Sequence, residues 1–169
     1  MLFRSTLKQM MKTLAQLDTW LAAAGAHAQA KSFDPTVFLG ARLAPDQFAF
    51  ARQVQTACDT AKAAAARLTG KEAPSFPDTE QSLDDLSVRV KAVLAYLETF
   101  QPSDFDGAAD RRVTQPRWEG SYMLGKDYFL SHALPNFFFH VTHAYAILRH
   151  NGVNLGKRDF LGTLVKHNP

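Results

Sequence analysis

Histidine is the residue type in this 169-residue chain that points most directly to chemistry, because an imidazole nitrogen can bind a metal ion or carry a proton near neutral pH. Four of the six histidines lie between His132 and His150, in the sequence HALPNFFFHVTHAYAILRH. On an α-helix each residue turns by about 100°, so Asn136, His140 and His143 share one side. These three positions are the first candidates for a functional site.

His140 is the sharpest candidate, because it lies roughly 60° from Phe137 and falls within the apolar stripe that faces the core. Its position fits a metal ligand, since histidines on neighbouring turns can converge on one ion inside a helical bundle. It also fits a partly buried histidine that bonds to another helix. The pattern leaves both interpretations open, and it predicts exposed or capping roles for His143 and His150.

Other catalytic patterns are absent from the sequence, which lacks a glycine-rich phosphate loop, a GxSxG nucleophile elbow and an HExxH metal motif. Asp84, Asp85 and Glu98 are expected on a solvated helix face, and Asp59 could approach a polar pocket. Cys58 is the only cysteine and cannot form an internal disulfide, so we expect a buried, unreactive thiol. A single unpaired cysteine is typical of a protein in a reducing cytoplasm.

Four segments repeat apolar residues at alternating three- and four-residue spacing, which buries one stripe of each helix against its neighbours. We expect helices at residues 5–25, 46–68, 79–100 and 130–148. Ser5 and Gly25 are the predicted cap and stop of the first helix. Pro135 predicts a break or kink in the fourth. The predicted fold is all-α, a single domain over residues 1–169 built on an antiparallel four-helix bundle.

Two connections between these helices contain further structure. Residues 26–45 are too long for a tight turn, and the sequence DPTVFLGARL predicts a short helix from Pro35 that crosses the end of the bundle. Residues 101–126, which include RRVTQP and SYML, predict a small β-hairpin insertion. His27 falls in the first connection and His167 in the C-terminal tail.

Composition limits the kinds of partner that the chain could have. Hydrophobic residues make up 46% of the chain and charged residues 21%, as in ordinary globular proteins. The net charge is only +3, and no dense basic stripe of the kind that binds nucleic acid occurs. Solvated loop charges account for Arg111, Arg112, Lys157 and Arg158. No apolar run reaches the length of about 18 residues that a membrane span needs.

The N-terminal segment that ends in AGAHAQA is faintly similar to a signal peptide. Gln16 and Asp18 interrupt its apolar stretch, whereas its leucines follow the spacing of a helix that faces a core. We therefore expect a bundle helix that belongs to the folded protein, and a cytoplasmic location.

Two long segments, ARLAPDQFAFARQVQTACDTAKAAAARLTG and ALPNFFFHVTHAYAILRHNGVNLGKRDFLG, resemble a bacterial family of unknown function, domain-of-unknown-function family 1993. That family is similar to the wider DinB/YfiT-like superfamily of four-helix bundles. The resemblance implies the bundle fold and a kinship with metal-dependent enzymes, among them thiol-dependent transferases and hydrolases.

The usual site of that superfamily consists of three histidines, one on the second helix and an HxxxH pair late in the bundle. The resemblance places His140 on the second histidine of the pair, Asn136 on the first and Gln53 on the second-helix position. One of three ligands is retained. Asn and Gln supply neutral oxygens, which suit hard cations better than zinc or nickel. We therefore expect no tightly bound cofactor, although a divalent metal could be held weakly.

Two functions follow as expectations. In the first, the chain is a binding or interaction module with a degenerate metal site, whose pocket of Gln53, Asn136, His140 and His143 accepts an unidentified small molecule. In the second, it is a metal-dependent hydrolase or thiol transferase that uses His140. A homodimer is a further expectation.

Overall fold

The computed structural model describes residues 2–167 and confirms the all-α four-helix bundle. Its long helices are α1 (Leu2–Lys31), α2 (Phe50–Thr69), α3 (Leu83–Glu98) and a continuous stretch at residues 125–150 made of α4 (Gly125–Tyr128), a π-helical turn (Phe129–Ala133) and α5 (Leu134–His150). A short helix, α6 (Lys157–Leu161), follows. None of the helices within residues 2–167 has the length and apolar character needed to span a membrane.

The helices pack largely as the apolar spacing predicts, because most of the predicted stripe residues form the core. Leu14, Val54, Val90 and Val141 are all fully buried, one from each long helix. α1 and α3 run antiparallel, since Arg4 donates to the Phe100 carbonyl at one end (3.1 Å) while residues 18 and 87 meet further along. α2 lies between α3 and α5.

The first helix is longer than predicted, and the stop at Gly25 is wrong. α1 continues to Lys31, and the chain turns at Ser32, where φ is +58°. His27, placed in a loop by the sequence, is on this last part of α1, where its ring contacts Phe33 and Phe38. These aromatic contacts and the buried Ala28 stabilise two further turns, which outweigh the modest helix penalty of one glycine.

The second helix begins at Phe50, four residues later than the predicted start at residue 46. The preceding loop supplies partners for the first amide groups of α2: Phe50 N–H donates to the Ala41 carbonyl (2.9 Å) and Ala51 N–H to the Leu39 carbonyl (3.2 Å). These bonds satisfy N–H groups that lack partners within the helix. The predicted end is confirmed, since Gly70 follows Thr69 in the left-handed conformation with φ of +76°.

The third helix is shorter than predicted, with Ser82 as its N-cap. The Ser82 hydroxyl accepts a hydrogen bond from Asp85 N–H at 3.0 Å. Residues 79–81 precede this cap and are not helical. Asp84, Asp85 and Glu98 are exposed, as expected for a solvated face.

The interruption predicted at Pro135 is a π-helical turn. Proline cannot donate a backbone hydrogen bond and crowds the carbonyl four residues earlier. The turn widens the helix, so that Leu134 N–H donates to the Phe129 carbonyl, five residues back. Phe129 and Ala133 thereby take the buried positions, and Leu130, expected in the core stripe, is 48% exposed.

The connections also follow the predictions in outline. The short helix from Pro35 is a 3-10 turn, Pro35–Phe38, whose Phe38 is buried. The hairpin consists of two antiparallel strands, β1 (Arg112–Val113) and β2 (Met123–Leu124), with Val113 opposite Met123. Lys157 and Arg158, expected in a loop, lie on α6, which the Trp20 indole on α1 holds by donating to the Asp159 carbonyl (3.2 Å).

A buried guanidinium joins α3 to α2 and to the loop between them. Arg89 is paired with Asp59 on α2 (3.0 Å) and with Asp78 (3.0 Å) and Glu80 (2.8 Å) in the loop. Burial favours the neutral form of Glu80, but the hydrogen bonds from Arg89, from the Glu80 backbone and from Gln55, together with the charge of Arg89, outweigh it and lower the pKa of this carboxyl group. The network thus fixes the loop against both helices.

Two glycines should respond in opposite ways to substitution by alanine. A Cβ at Gly125 would lie 1.9 Å from the Ala108 carbonyl oxygen, whereas a Cβ at Gly25 would meet nothing within 4 Å. We expect Gly125→Ala to lower the free energy of unfolding by about 1–3 kcal/mol through overpacking. Gly25→Ala should raise it by about 0.5–1 kcal/mol, since alanine is the better helix former. Urea unfolding of both variants checks this, and a destabilised Gly25→Ala variant would contradict the extended α1.

The Arg89 network can be tested against an exposed ion pair that shares one of its carboxylates. Arg89→Met should cost about 3–5 kcal/mol, because it leaves the buried Glu80 carboxylate without its cation. Arg52→Met removes the half-exposed pair with Asp78 and a long hydrogen bond to Gln55 (3.4 Å), and should cost less than about 1 kcal/mol. Equal losses in the two unfolding curves would show that the buried network has no special role.

Candidate functional site

The structure joins two of the predicted site residues across the interface of α2 and α5. The Gln53 side-chain oxygen and His140 Nδ1 are 2.7 Å apart, and both residues are buried. Gln53 is on the first turn of α2, and His140 is near the middle of α5. The antiparallel packing of the two helices brings them together.

The neighbouring hydrogen bond determines which nitrogen of His140 carries the proton. The Gln53 amide nitrogen donates to the Phe48 carbonyl at 3.1 Å, so the amide oxygen faces the imidazole. An oxygen can only accept, and therefore Nδ1 is the protonated nitrogen. In a neutral ring this leaves Nε2 with a free lone pair, which can accept a proton or bind a cation.

The surroundings of His140 hold its ring neutral. Burial, followed by the positive charges of His143 and Arg52, lowers its pKa from 6.5 to about 4. The Phe48 ring lies nearly parallel to the imidazole, with the centroids 6.1 Å apart, and the Phe139 ring meets it edge-on at 5.2 Å. His140 is therefore a neutral, oriented hydrogen-bonding group at physiological pH.

Asn136, one turn before His140, bonds elsewhere. Its amide nitrogen donates to the Thr60 hydroxyl on α2 at 2.8 Å. That hydroxyl in turn donates to the Thr56 carbonyl at 2.7 Å. Asn136 thus faces the same helix as His140, but contacts it two turns further along than Gln53 does.

His143 takes a partly exposed position, on the outer side of the pair. Its Nδ1 donates to the Phe139 carbonyl one turn back, at 2.7 Å. Its ring packs on the Phe139 ring, with the centroids 4.0 Å apart. His143 makes no hydrogen bond to Gln53, Asn136 or His140.

An open cleft of about 370 Å³ begins at Asn136 and runs toward the hairpin. Its walls come from α2, from the turn at residues 115–117 and from the start of the fourth helical stretch. The lining side chains include Thr56, Asp59, Thr60, Ala63, Arg67, Gln115, Pro116, Arg117, Tyr128, His132 and Asn136. This cleft is the feature of the interface that could hold a small molecule.

Sequence reasoning missed the residues that follow Gln53 along the same side of α2. Thr60 bonds to Asn136, and Arg67 donates to the Tyr128 hydroxyl at 3.1 Å. Gln53, Thr60 and Arg67 are seven residues apart, so they lie along one side of the helix. That spacing was a signal available in the sequence.

Cys58 is buried, as expected, and Asp59 lines the cleft while it also takes part in an ion-pair network. Asp59 pairs with Arg89 and with Lys62 (2.9 Å). Cys58 is fully buried, which raises the pKa of its thiol to about 12 and keeps it protonated. Across residues 2–167, no group of three His, Cys, Asp or Glu side chains is placed to hold a metal ion.

The fold and the α2–α5 site define a helical bundle of the DinB-like class. The chain is similar to the crystal structure of a DinB family member protein from Shewanella denitrificans, with a TM-score of 0.96 and 47% sequence identity over 100% of this chain and 96% of that chain. The family model for the domain of unknown function DUF1993 matches residues 2–161, and the chain belongs to this family. None of the curated proteins matches it.

The neutral state of His140 should make stability depend on pH in a defined range. The unfolded imidazole takes up a proton below about pH 6.5, but the folded one does so only near 4, so the free energy of unfolding should fall between these values as acid is added. In His140→Gln this contribution is absent. We expect the wild type to lose more stability than the variant between about pH 7 and about pH 5 in urea unfolding.

Proton NMR provides the direct measurement. The His140 ring resonances of the wild type should remain unchanged down to about pH 5 and shift near pH 4. Titration of His140 close to pH 6.5 would contradict the buried, amide-bound state.

Proposed function

We propose that this chain is a small-ligand-binding member of the DinB-like class, in which a neutral amide–imidazole pair takes the place of a transition-metal site. The observation that carries the proposal is the contact of 2.7 Å between the Gln53 oxygen and His140 Nδ1. This contact gives Gln53 the role of orienting the imidazole. It leaves the lone pair of the other imidazole nitrogen, Nε2, available to accept a proton or to bind a cation.

The donor set argues against tight binding of zinc or nickel. These metals prefer nitrogen and sulfur ligands, and a structural zinc site uses four of them. Loss of a group that merely orients a ligand costs about 10–100-fold in metal affinity, and the loss of direct ligands at positions 53 and 136 should cost more.

The neighbouring cleft supports a small-ligand role. Its volume of about 370 Å³ falls at the lower end of the range of ligand pockets, which is about 300–1,000 Å³. Asn136 lies at the end of the cleft that is nearest to His140, one helical turn away from that residue. A ligand there would meet polar groups on one wall and the Tyr128 and Pro116 side chains on the others.

A second candidate is a metal-dependent hydrolase or thiol transferase that uses His140. One observation favours it: a histidine whose Nδ1–H is held by an oxygen acceptor presents a basic Nε2, as metal-binding histidines do. Such a nitrogen could also serve as a general base.

Metal titration separates the two candidates. We expect purified wild-type protein to contain less than one equivalent of zinc or nickel per chain and to show only weak binding by calorimetry. Gln53→His combined with Asn136→His should raise the affinity for transition metals, because both positions lie on the faces of α2 and α5 that meet at His140. Metal distances tolerate only about ±0.2 Å, so the gain requires that the three rings converge.

A matched control uses Gln55, which is also buried on α2 but bonds to Glu80 on the other side (2.8 Å). Gln55→His combined with Asn136→His adds the same two imidazoles and should bind metal no better than the wild type. One tightly held equivalent in the wild type, lost in His140→Ala, would overturn the proposal in favour of the enzyme.

A further inference from the structure

We infer that the cleft between α2 and the turn at residues 115–117 is an oxyanion site, which accepts a ligand through a carboxylate or phosphate group held by Arg67 and Arg117. This inference rests on the proposed small-ligand function and names the chemical class of the ligand. It involves the end of the α2–α5 interface that lies away from His140.

The two arginines are positioned by neutral partners. Arg67 donates to the Tyr128 hydroxyl (3.1 Å), and Arg117 donates to His132 Nε2 (2.7 Å). Within residues 2–167, neither guanidinium has a carboxylate at ion-pair distance. Each has five N–H groups, and one hydrogen bond leaves most of them free for a ligand.

The single carboxylate in the cleft wall does not cancel this charge. Asp59 is paired with Lys62 and with Arg89, neither of which lines the cleft. The positive charges of Arg67 and Arg117 therefore remain uncompensated in the cleft.

His132 holds Arg117 in place as a neutral hydrogen-bond acceptor. A guanidinium can only donate, so Nε2 accepts from Arg117 and the proton is on Nδ1. Burial, and then the charges of Arg117 and Arg67, lowers the pKa of His132. Its ring stacks on Tyr128 at 5.5 Å and meets the Trp118 ring edge-on at 5.7 Å, which fixes the turn that carries Arg117.

This geometry matches the way proteins bind oxyanions. Planar guanidinium groups form paired hydrogen bonds with carboxylate and phosphate, and arginine is preferred over lysine for this reason. The cleft is larger than an anionic head group needs, and Ala63, Pro116 and the Tyr128 ring offer apolar surface for the rest of a ligand.

The test is NMR titration of the full chain with inorganic phosphate and, separately, with acetate at low ionic strength. We expect saturable shifts centred on Arg67 and Asn136. Arg67→Gln and Arg117→Gln should each weaken binding by about tenfold or more, the order expected for one lost charge-assisted hydrogen bond. The more tightly bound anion identifies the preferred head group.

Two control variants separate binding in the cleft from a general effect of net charge. Arg112→Gln removes an equal charge outside the cleft, where Arg112 lies over the Tyr122 ring, and should leave the affinity unchanged. Arg67→Lys keeps the charge and should restore binding only in part. Saturable binding by the wild type that depends on Arg67 and Arg117 supports the inference.

The inference is overturned if neither anion binds saturably to the wild type, or if Arg112→Gln weakens binding as much as the cleft variants do. Its failure is distinct from failure of the proposed function, which a tightly held metal at His140 would overturn whatever the anion titrations give.

Discussion

The close approach of α2 to two neighbouring helices is the constraint on which the rest of the structure depends. Alanine is the most frequent residue at its buried positions, and Ala57, Ala61, Ala64 and Ala65 are all fully buried. Small side chains let adjacent backbones come near, so that short polar side chains can reach across both interfaces. A larger residue at these positions would push α3 or α5 away and separate the polar pairs.

The polar contacts on the two sides of α2 differ in charge. Toward α3, Asp59 joins the carboxylates that surround the buried Arg89, and ionic partners offset the cost of removing a guanidinium from water. Toward α5, the polar pairs are uncharged: Gln53 with His140 and Thr60 with Asn136. Charge thus stabilises the loop side of the bundle, while neutral hydrogen bonds form the side with the candidate site.

The neutrality of the α2–α5 interface has a chemical consequence. An imidazole whose pKa is about 4 is uncharged at neutral pH, so it neither repels the arginines further along nor attracts an anion itself. Positive charge is concentrated at the other end of the interface, where Arg67 and Arg117 line the cleft. The polarity of the site therefore changes along α2, from a neutral hydrogen-bonding end to a cationic end.

The sequence by itself determined that four helices form and which residues make up most of their buried faces, because apolar spacing is a local signal. It also located His140 on a buried face and the hairpin between the third and fourth helices. Only the tertiary structure decided that α1 passes Gly25, that a π-helical turn exposes Leu130, and that Asn136 bonds to Thr60 while Gln53 orients His140. These features depend on which atoms of separate helices meet, and that is set by packing between residues far apart in the chain.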